Sequence, residues 1–375
     1  MAKTSYVPIP AKIKVVGTGG AGCNAITRMV REQIRGVEFV AMNTDVQALD
    51  AVAADRKIPI GTKVTQGLGA GGNPVQGTKA AEETSDQLFD VLRDTDMVFI
   101  TAGMGGGTGT GAAPVIAQIA KEAGALTVAV VTKPFMWEGF RRRQNAEEGV
   151  ETLKDKVDAL IVIPNDRLLQ VIDKTTSVEA AFRIADDVLR QGIQGIAEII
   201  TVKGLINPDF ADVRAIMQSA GSALMAIGKA EGPDRAVEAA NLAISSPLLE
   251  LSINGARGIL INFTGGSDMT LHEVTEAANV IGKVADSEAN IIFGAVIDPQ
   301  LEGQIKITLI ATGFDGKTPL PQKSYTVHTA SQPRQAVART PVRQGNGNGS
   351  SHDPDAILKF LQNESRNDPS RNHGF

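Results

Sequence analysis

A twelve-residue stretch, GMGGGTGTGAAP at residues 103–114, is the feature that most constrains this chain. Glycine loses more conformational freedom on folding than any other residue, so a run this rich in glycine needs a compensating use. The apolar run DMVFITA before it is typical of a buried strand, and VIAQIA after it repeats apolar residues at helical spacing. The stretch therefore connects a strand to a helix, which we expect to begin near Ala112.

Two further glycine-rich segments lie at similar junctions. GTGGAG at residues 17–22 follows the strand pattern KIKVV and matches G-x-G-x-x-G, with Asp45 downstream, and GLGAGGNP spans residues 67–74. Glycines let a backbone approach phosphate closely, and a following helix N-terminus offers free N–H groups. One such segment indicates a dinucleotide site or a structural tight turn. Three on one sheet could surround a triphosphate, with Thr108 and Thr110 adding hydroxyl donors.

The usual triphosphate motif, G-x-x-x-x-G-K-[ST], is absent from the sequence. The nearest run, TGFDGKTP, has the wrong spacing, and Pro319 would block the helix that should follow. A triphosphate site in this chain would therefore depend on backbone amides and Mg²⁺ rather than on a lysine.

Composition narrows the class of protein. The chain has 375 residues, enough for two domains and a tail, and a net charge of -5 with mixed signs, which disfavours a general nucleic-acid or membrane surface. No apolar run is long enough to span a bilayer, and the N-terminus lacks a signal-like apolar core. Cys23 is the single cysteine, and the glycine-rich half has no histidine for base catalysis or metal binding. We expect a cytoplasmic protein that inserts into no membrane and binds no nucleic acid.

The order of patterns predicts the organisation of the chain. Strand-like runs alternate with helical patterns from residue 12 to about 165, as in a doubly wound parallel sheet, where ligands lie beyond the carboxyl ends of the strands. TSVE at residues 176–179 fits a capping box that opens a long helix. The final segment DPDAILKFLQNES, after a Pro-, Gln- and Gly-rich stretch, is either a docking peptide or a chain end with chance apolar residues.

The predicted fold is therefore α/β, with a Rossmann-like parallel-sheet domain, a long central helix, a second smaller α/β domain with a mixed sheet, and a disordered C-terminal tail. The predicted boundaries are 1–11 for a flexible N-terminus, 12–175 for the nucleotide-binding domain, 176–202 for the central helix, 203–315 for the second domain, 316–352 for a disordered linker and 353–375 for a partner-binding peptide.

GGGTGTG resembles the signature of the tubulin/FtsZ family. GTGGAGCNAI, NTD, GLGAGGNP, TKPFMWEGFRRR, IPNDRLL and NPDFADV follow in the order found in its bacterial cell-division members, over roughly residues 11–315. The resemblance implies a GTPase that uses GTP/GDP and Mg²⁺, polymerises head to tail with copies of itself, and forms the division ring at the mid-cell septum. It also implies that division proteins and membrane anchors bind the C-terminal peptide.

The same resemblance assigns residues to the phosphate site. They are Gly19, Gly20, Ala21, Gly22, Cys23 and Asn24, then Gly69, Ala70, Gly71 and Gly72, and from the other side Gly103, Gly106, Gly107, Thr108, Gly109 and Thr110.

Further residues match ribose and base contacts of the family. Glu138 and Arg142 would contact ribose and phosphate, although an i,i+4 ion pair on a helix is the alternative. Asn165 would read guanine, and its alternative is a turn or helix-cap residue. Phe182 and Asp186 share one helix face, so a ring could stack on the base while a carboxylate accepts from guanine N1–H and N2–H₂. Their alternative is a core phenylalanine beside a solvated aspartate.

NPDFADV carries catalysis in this interpretation. The resemblance implies that Asp209 and Asp212, with Asn207, orient and polarise a water for attack on the γ-phosphate in the pocket of the next subunit. Asp209 is also placed to cap the helix FADVRAIM, and both roles are compatible. Pro208 stands where the family usually has a flexible apolar residue, which would stiffen the loop.

Two other functions compete with this one. A Rossmann-type NAD(P)-dependent oxidoreductase would use Gly17, Gly19, Gly22 and Asp45, but it leaves two glycine segments unexplained. A nucleotide-binding filament protein without turnover would have no need for the two aspartates.

Overall fold

The structure, a computed structural model, describes residues 11–170, 172–173, 175–202, 204–249 and 252–313. The predicted linker at 316–352 and peptide at 353–375, and all but residue 11 of the predicted N-terminal segment, lie outside the described residues. Within the described part, no helix combines the length and apolar character needed to cross a membrane.

The described residues contain ten strands, which form one sheet. They are β1 Ile13–Thr18, β2 Val37–Asn43, β3 Arg56–Pro59, β4 Met97–Gly103, β5 Leu126–Lys133, β6 Ala159–Pro164, β7 Gly221–Glu231, β8 Gly258–Gly265, β9 Asn290–Ile297 and β10 Gln304–Thr312. Their order across the sheet is β3-β2-β1-β4-β5-β6-β7-β10-β8-β9.

Helices cover the sheet and connect its strands. They are α1 Gly19–Arg31, α2 Val46–Asp50, α3 Thr62–Thr65, α4 Pro74–Glu83, α5 Ser85–Leu92, α6 Thr108–Glu122, α7 Phe140–Lys154, α8 Asn165–Leu168, α9 Val178–Thr201, α10 Phe210–Met217, α11 Arg235–Ile244 and α12 Leu271–Gly282, with 3₁₀ turns at Met136–Glu138 and Pro299–Leu301.

The pairing of the strands confirms the predicted fold class. Strands β1 to β6 are parallel to their neighbours, whereas β10 pairs antiparallel with β7 and β8, and β8 pairs parallel with β9. The first half is thus a parallel sheet and the second half a mixed one. A short parallel pairing of β6 with β7, from Ala159↔Gly221 to Ile161↔Ala223, joins the two halves.

Apolar packing explains this layering. Neighbouring residues of β1 point into different clusters, Val15 into one and Val16 into the other, so both faces of the parallel sheet are buried. The central helix α9 contributes Ile193 to a cluster that also contains Val130 of β5 and Leu260 of β8. Burial of its apolar stripe therefore packs α9 against both halves of the molecule.

Two predicted helix starts were wrong by up to one turn. Helix α6 begins at Thr108 rather than near Ala112, because tight packing, such as that of Gly111 on the Pro74 carbonyl, overrides the weak helix propensity of glycine and threonine. Helix α9 is capped by Ser177, whose hydroxyl accepts from the Ala180 N–H at 3.1 Å, so the capping box predicted at Thr176 does not form.

Candidate functional site

The three glycine-rich stretches, here called the first (17–24), second (67–74) and third (103–114) glycine segments, meet at one edge of the sheet. A Cβ added to Gly19 would lie 2.9 Å from the backbone nitrogen of Gly109, so the first and third segments touch. One added to Gly107 would lie 2.8 Å from the Ala70 Cβ, so the third also touches the second. Part of the glycine content therefore lets three backbones approach more closely than side chains would allow.

Other glycines of the same segments face open space. A Cβ added to Gly20, Gly71, Gly72 or Gly106 would meet no heavy atom within 4 Å. Gly71 and Gly72 also have positive φ values of 57° and 71°, which side chains rarely adopt. These glycines line an opening between the segments, where a ligand can lie directly against the backbone.

Two helix N-termini face this opening. Helix α1 begins at Gly19 and α6 at Thr108, and neither N-cap residue, Thr18 or Gly107, makes a side-chain cap hydrogen bond. Neither helix has an acidic residue in its first turn. The first N–H groups of a helix lack intrahelical partners, and the N-terminal end carries a partial positive charge. The pair of uncapped ends is thus suited to bind an anion.

The two threonines of the third segment play different parts. The Thr108 and Thr44 hydroxyls lie 2.6 Å apart in a hydrogen bond that ties α6 to the end of β2. Thr110 is 3% exposed, and its hydroxyl accepts from the Gly105 N–H at 2.8 Å. Thr110 therefore stabilises the loop as an acceptor, and its hydroxyl keeps a hydrogen of its own, so its use as a donor toward phosphate stays a prediction. Thr44 was missed, although the NTD motif, which begins at the last residue of β2, could have indicated it.

Cys23 and Asn24 continue α1 beyond the opening. The Cys23 sulfur lies 3.7 Å from the carbonyl oxygens of Gly17 and Met42, and burial raises the pKa of its thiol to about 12. Its side chain therefore belongs to the core, and only its backbone could face a ligand. Asn24 is exposed on the surface of α1.

Glu138 and Arg142 form the i,i+4 ion pair that was the alternative to nucleotide contact. The other Glu138 oxygen accepts from the Phe135 N–H at 2.9 Å, which fixes the carboxylate at the start of the 3₁₀ turn. Arg142 remains 55% exposed and beside the third segment, since its carbonyl oxygen would lie 2.7 Å from a Cβ on Gly105. The backbone of Arg142 therefore lies beside the third segment, and Glu138 binds its exposed side chain.

Asn165 is buried directly after the carboxyl end of β6. It is 5% exposed, and its Oδ1 accepts no hydrogen bond from any described residue. The N-cap of α8 is Pro164, so the helix-cap alternative for Asn165 was wrong. A buried acceptor without a partner costs about 1–3 kcal/mol, which a bound donor group would offset.

Phe182 and Asp186 lie on one face of α9, as predicted. Phe182 is 39% exposed and makes edge contacts with Phe135 and Trp137, at centroid distances of 5.6 and 6.1 Å. Burial raises the pKa of Asp186 to about 6, against the opposing effect of nearby Arg28. The alternative of a core phenylalanine beside a solvated aspartate is therefore wrong. The Phe182 ring is accessible, and the Asp186 carboxyl group is largely buried. The contribution of Phe135 and Trp137 to this aromatic group was not predicted.

The acid loop, residues 204–212, carries Asn207, Asp209 and Asp212. Asp209 caps α10 and accepts from the Asp212 N–H, so the predicted N-cap role is confirmed. The Asn207 side chain accepts from the Gly204 N–H at 2.9 Å and donates to its carbonyl at 3.2 Å, which closes a turn. Both aspartates are exposed.

The acid loop lies near the amino ends of the parallel strands, and the glycine segments lie at their carboxyl ends. Arg214 of α10 donates to the carbonyl of Asp96, the residue before β4, whereas the third glycine segment begins at Gly103, the last residue of β4. Strand β4 has seven residues and is therefore roughly 23 Å long. The aspartates of a chain are thus separated from its own glycine segments by about the length of a strand.

Comparisons with known proteins agree with this architecture. Residues 12–173 match the model of the Tubulin/FtsZ family GTPase domain, and residues 221–315 match that of the FtsZ family C-terminal domain. An empty FtsZ dimer from M. jannaschii is 50% identical, with a TM-score of 0.79 over 81% of this chain and 89% of that chain. A mutant form of FtsZ from M. jannaschii is also 50% identical, with a TM-score of 0.78 over 81% and 91%.

A more distant match bears on the fold alone. A GTPgS-bound protofilament of CetZ2 from Haloferax volcanii is 19% identical, with a TM-score of 0.69 over 82% of this chain and 95% of that chain. None of these matches supports the alternative of an NAD(P)-dependent oxidoreductase.

Proposed function

The chain belongs to the tubulin/FtsZ family of self-assembling GTPases, and we propose that each of its active sites is shared between two copies. The observation that carries this proposal is the separation of the acid loop from the glycine segments by the length of β4. Catalytic groups act within a few ångströms of the reacting atoms. Asp209 and Asp212 therefore serve the pocket of a second copy stacked head to tail on the first.

In the proposed site, the glycine segments hold the triphosphate. Gly20, Gly71, Gly72 and Gly106 leave room for it, and the uncapped ends of α1 and α6 supply N–H donors and positive dipole ends. Arg142 adds a full positive charge at the rim. The fit of an anion to this opening is the reason for placing the phosphates there.

The base lies between two groups of residues in this proposal. Phe182 offers an accessible ring face for stacking, and the orphan Asn165 oxygen and the Asp186 carboxylate are acceptors for guanine donors. Adenine lacks the N1–H and N2–H₂ donor pair, so the site would prefer GTP. The hydroxyls of Thr44 and Thr108 are oxygen groups that could hold Mg²⁺, which when bound would neutralise phosphate charge.

Hydrolysis then follows from assembly. The incoming acid loop places two carboxylates over the γ-phosphate, where they orient a water and one accepts its proton as the water oxygen bonds to phosphorus. The bond from that phosphorus to the bridging oxygen breaks, so that GDP and inorganic phosphate are formed. Asn207 shapes the turn that presents them. Loss of the γ-phosphate removes the group that the acid loop contacts, and the junction between the copies is weakened.

Two variants with damage at opposite ends test the shared site. Asp186→Ala weakens the pocket, and Asp212→Ala inactivates the acid loop. The assay uses a GTP concentration that saturates the intact pocket of the Asp212→Ala chain but not the weakened pocket of the Asp186→Ala chain. Under this condition, each variant alone should hydrolyse GTP slowly. Mixed together, they should regain turnover, because some junctions then pair an intact pocket with an intact acid loop. Turnover that is no higher in the mixture than in the separate proteins would show that each site lies within one chain.

We further propose that the filaments form the mid-cell division ring and that residues 353–375 bind division proteins and membrane anchors. The family match supports a role in cell division, and the apolar DPDAILKFLQNES segment supports the docking role. A chain that ends at residue 352 should keep its GTPase rate and assembly but lose mid-cell fluorescence when tagged. Unchanged mid-cell rings would exclude the segment as the anchor site.

A further inference from the structure

A buried carboxylate, Asp158, connects the parallel sheet to the segment behind the acid loop. It is 5% exposed and lies directly before β6. One oxygen accepts from the Thr127 N–H at 3.0 Å, and the other accepts from the Ser219 N–H at 3.4 Å and lies 3.5 Å from the Lys121 ammonium. A buried charge is costly unless it is paired and hydrogen-bonded, so this set of contacts strongly favours one arrangement.

The backbone of Asp158 makes the same connection. Its N–H donates to the Thr127 carbonyl at 2.8 Å, and its own carbonyl accepts from the Gly221 N–H at 2.9 Å. The pairing of β6 with β7 begins at the next residue, Ala159, opposite Gly221. One residue therefore joins the amino ends of β5, β6 and β7, where the two halves of the sheet meet.

Ser219, the partner of Asp158, has an unusual backbone conformation. Its φ is 55°, in the left-handed region that residues other than glycine rarely adopt. Such a conformation persists only where surrounding contacts enforce it. Ser219 follows the last residue of α10, Met217, by two positions, and the buried face of α10 packs in the core through Val213 and Ile216. The position of Ser219 therefore fixes the far end of the helix whose N-cap and first turn carry the two aspartates.

We propose that Asp158 is a positioning residue that sets the acid loop a subunit presents to its neighbour. The inference rests on the shared active site proposed above. The two aspartates are exposed, so the loop needs an anchor on its own chain, and the Ser219 contact provides one through α10. A displacement of about 1 Å in a catalytic group can lower turnover by about 10²-fold, so loss of this anchor would reduce turnover without touching the pocket.

The complementation assay gives a direct test, because it separates the two ends of the molecule. In a mixture of the Asp186→Ala and Asp212→Ala chains, the first supplies the working acid loop and the second supplies the working pocket. Asp158→Asn added to the Asp186→Ala chain should lower the restored turnover by about ten-fold or more, within the range for a misplaced catalytic group. Asp158→Asn added to the Asp212→Ala chain should leave the restored turnover unchanged.

A residue needed only for folding would not produce this asymmetry. The chain that carries both Asp158→Asn and Asp212→Ala must fold, bind GTP and assemble for turnover to be restored, so it is the folding control. Asp155→Asn, at an exposed position three residues away, should have no effect in either chain. Asp158→Glu, which keeps the charge but displaces it, should repeat the asymmetry if Asp158→Asn folds poorly.

The outcomes distinguish the two proposals. Equal losses in both chains with both Asp158 variants, or no loss in the Asp186→Ala chain, would overturn the positioning role while leaving the shared site intact. Failure of the two parent chains to complement each other at all would overturn the shared site, and the role of Asp158 with it.

Discussion

The carboxylates of Asp209 and Asp212 are each bound to the backbone of the other residue. Asp209 accepts from the Asp212 N–H at 2.8 Å, and Asp212 accepts from the Asp209 N–H at 3.2 Å. This reciprocal pair is a capping box that begins α10. Each carboxylate uses one oxygen in this way and has a second oxygen with its own lone pairs. Capping and water activation are therefore compatible roles for the same two side chains.

Asparagine substitutions separate these two roles. In Asp209→Asn and Asp212→Asn the amide oxygen can still accept the capping hydrogen bond, so stability should change by less than about 0.5 kcal/mol. The negative charge needed to polarise water is lost, and GTP turnover should fall by about 10²-fold. Thermal unfolding and GTP hydrolysis above the assembly threshold measure the two effects.

Alanine substitutions are the matched comparison. Asp209→Ala should lose turnover and, in addition, about 1 kcal/mol of stability, because the cap is removed. If the asparagine variants kept the wild-type rate while the alanine variant lost it, the aspartates would serve α10 alone.

If the Asp186 carboxylate accepts from guanine as proposed, the affinity for GTP should depend on pH. Its pKa is raised to about 6 by burial, so the carboxyl group is protonated in a larger share of molecules as the pH falls below that value. A protonated carboxyl group accepts poorly from two guanine donors. The affinity for GTP should therefore weaken from pH 7 to pH 5, measured by titration of nucleotide-free protein, and Asp186→Asn should bind weakly with no such pH dependence. An identical pH dependence in the variant would assign the effect to another group.

The same pKa shift has a defined effect on stability. The folded state binds more protons than the unfolded state between the ordinary pKa of 3.8 and about 6, so the Asp186 contribution destabilises the fold as pH rises through this window. Other carboxyl groups titrate there too, so the comparison is with Asp186→Asn. The variant should gain about 2–3 kcal/mol relative to wild type between pH 4 and pH 7 in denaturant unfolding. A constant difference across that range would contradict the assignment.

Substitution of Arg142 distinguishes a role in nucleotide binding from a purely structural role in the surface ion pair with Glu138. A half-exposed i,i+4 pair contributes about 0.3–0.5 kcal/mol to stability, so Arg142→Ala should unfold at nearly the wild-type temperature. If the guanidinium contacts the nucleotide, the same variant should bind GTP about ten-fold more weakly, a loss of about 1.4 kcal/mol. Arg141→Ala, beside it on the same helix, is the control. Equal affinities for the two variants would leave Arg142 as a structural residue.

The sequence was sufficient for features that depend on local pattern. Strands of the parallel sheet are buried on both faces and appear as short apolar runs, and the strand-like runs predicted between residue 12 and about residue 165 correspond to β1 to β6. Strand β7 was not predicted, because its core is flanked by glycine and charged residues and shows no alternation. The start of α6 was misplaced because packing against Pro74, distant in sequence, decides it.

The site could be predicted only in part, because the exposure of its side chains depends on contacts between residues that are distant in sequence. Motifs predicted which backbone segments meet at the site, but the exposure of each side chain there depends on the whole fold. The burial of Thr110, the partial burial of Asp186 and the accessibility of Phe182 depend on contacts from other elements. The Asp158 contact with Ser219 spans 61 positions in the chain, and no local pattern in the sequence indicates it.

Two glycines in the first turn of α1 should respond in opposite ways to the same substitution. A Cβ on Gly22 would lie 2.3 Å from the Thr101 carbonyl oxygen, so Gly22→Ala should destabilise the protein by about 1–3 kcal/mol through overpacking. A Cβ on Gly20 meets nothing within 4 Å, so Gly20→Ala should instead stabilise the helix by about 0.5–1 kcal/mol. Thermal unfolding of the nucleotide-free protein measures both changes.

GTP affinity completes the comparison, because the two glycines have different uses. If the opening beside Gly20 holds phosphate, the added methyl group occupies space that the ligand needs, and Gly20→Ala should bind GTP about ten-fold more weakly despite its greater stability, a loss of about 1.4 kcal/mol. A stable variant with weakened binding cannot be explained by partial unfolding. Wild-type affinity in Gly20→Ala would place the phosphates elsewhere along the three segments.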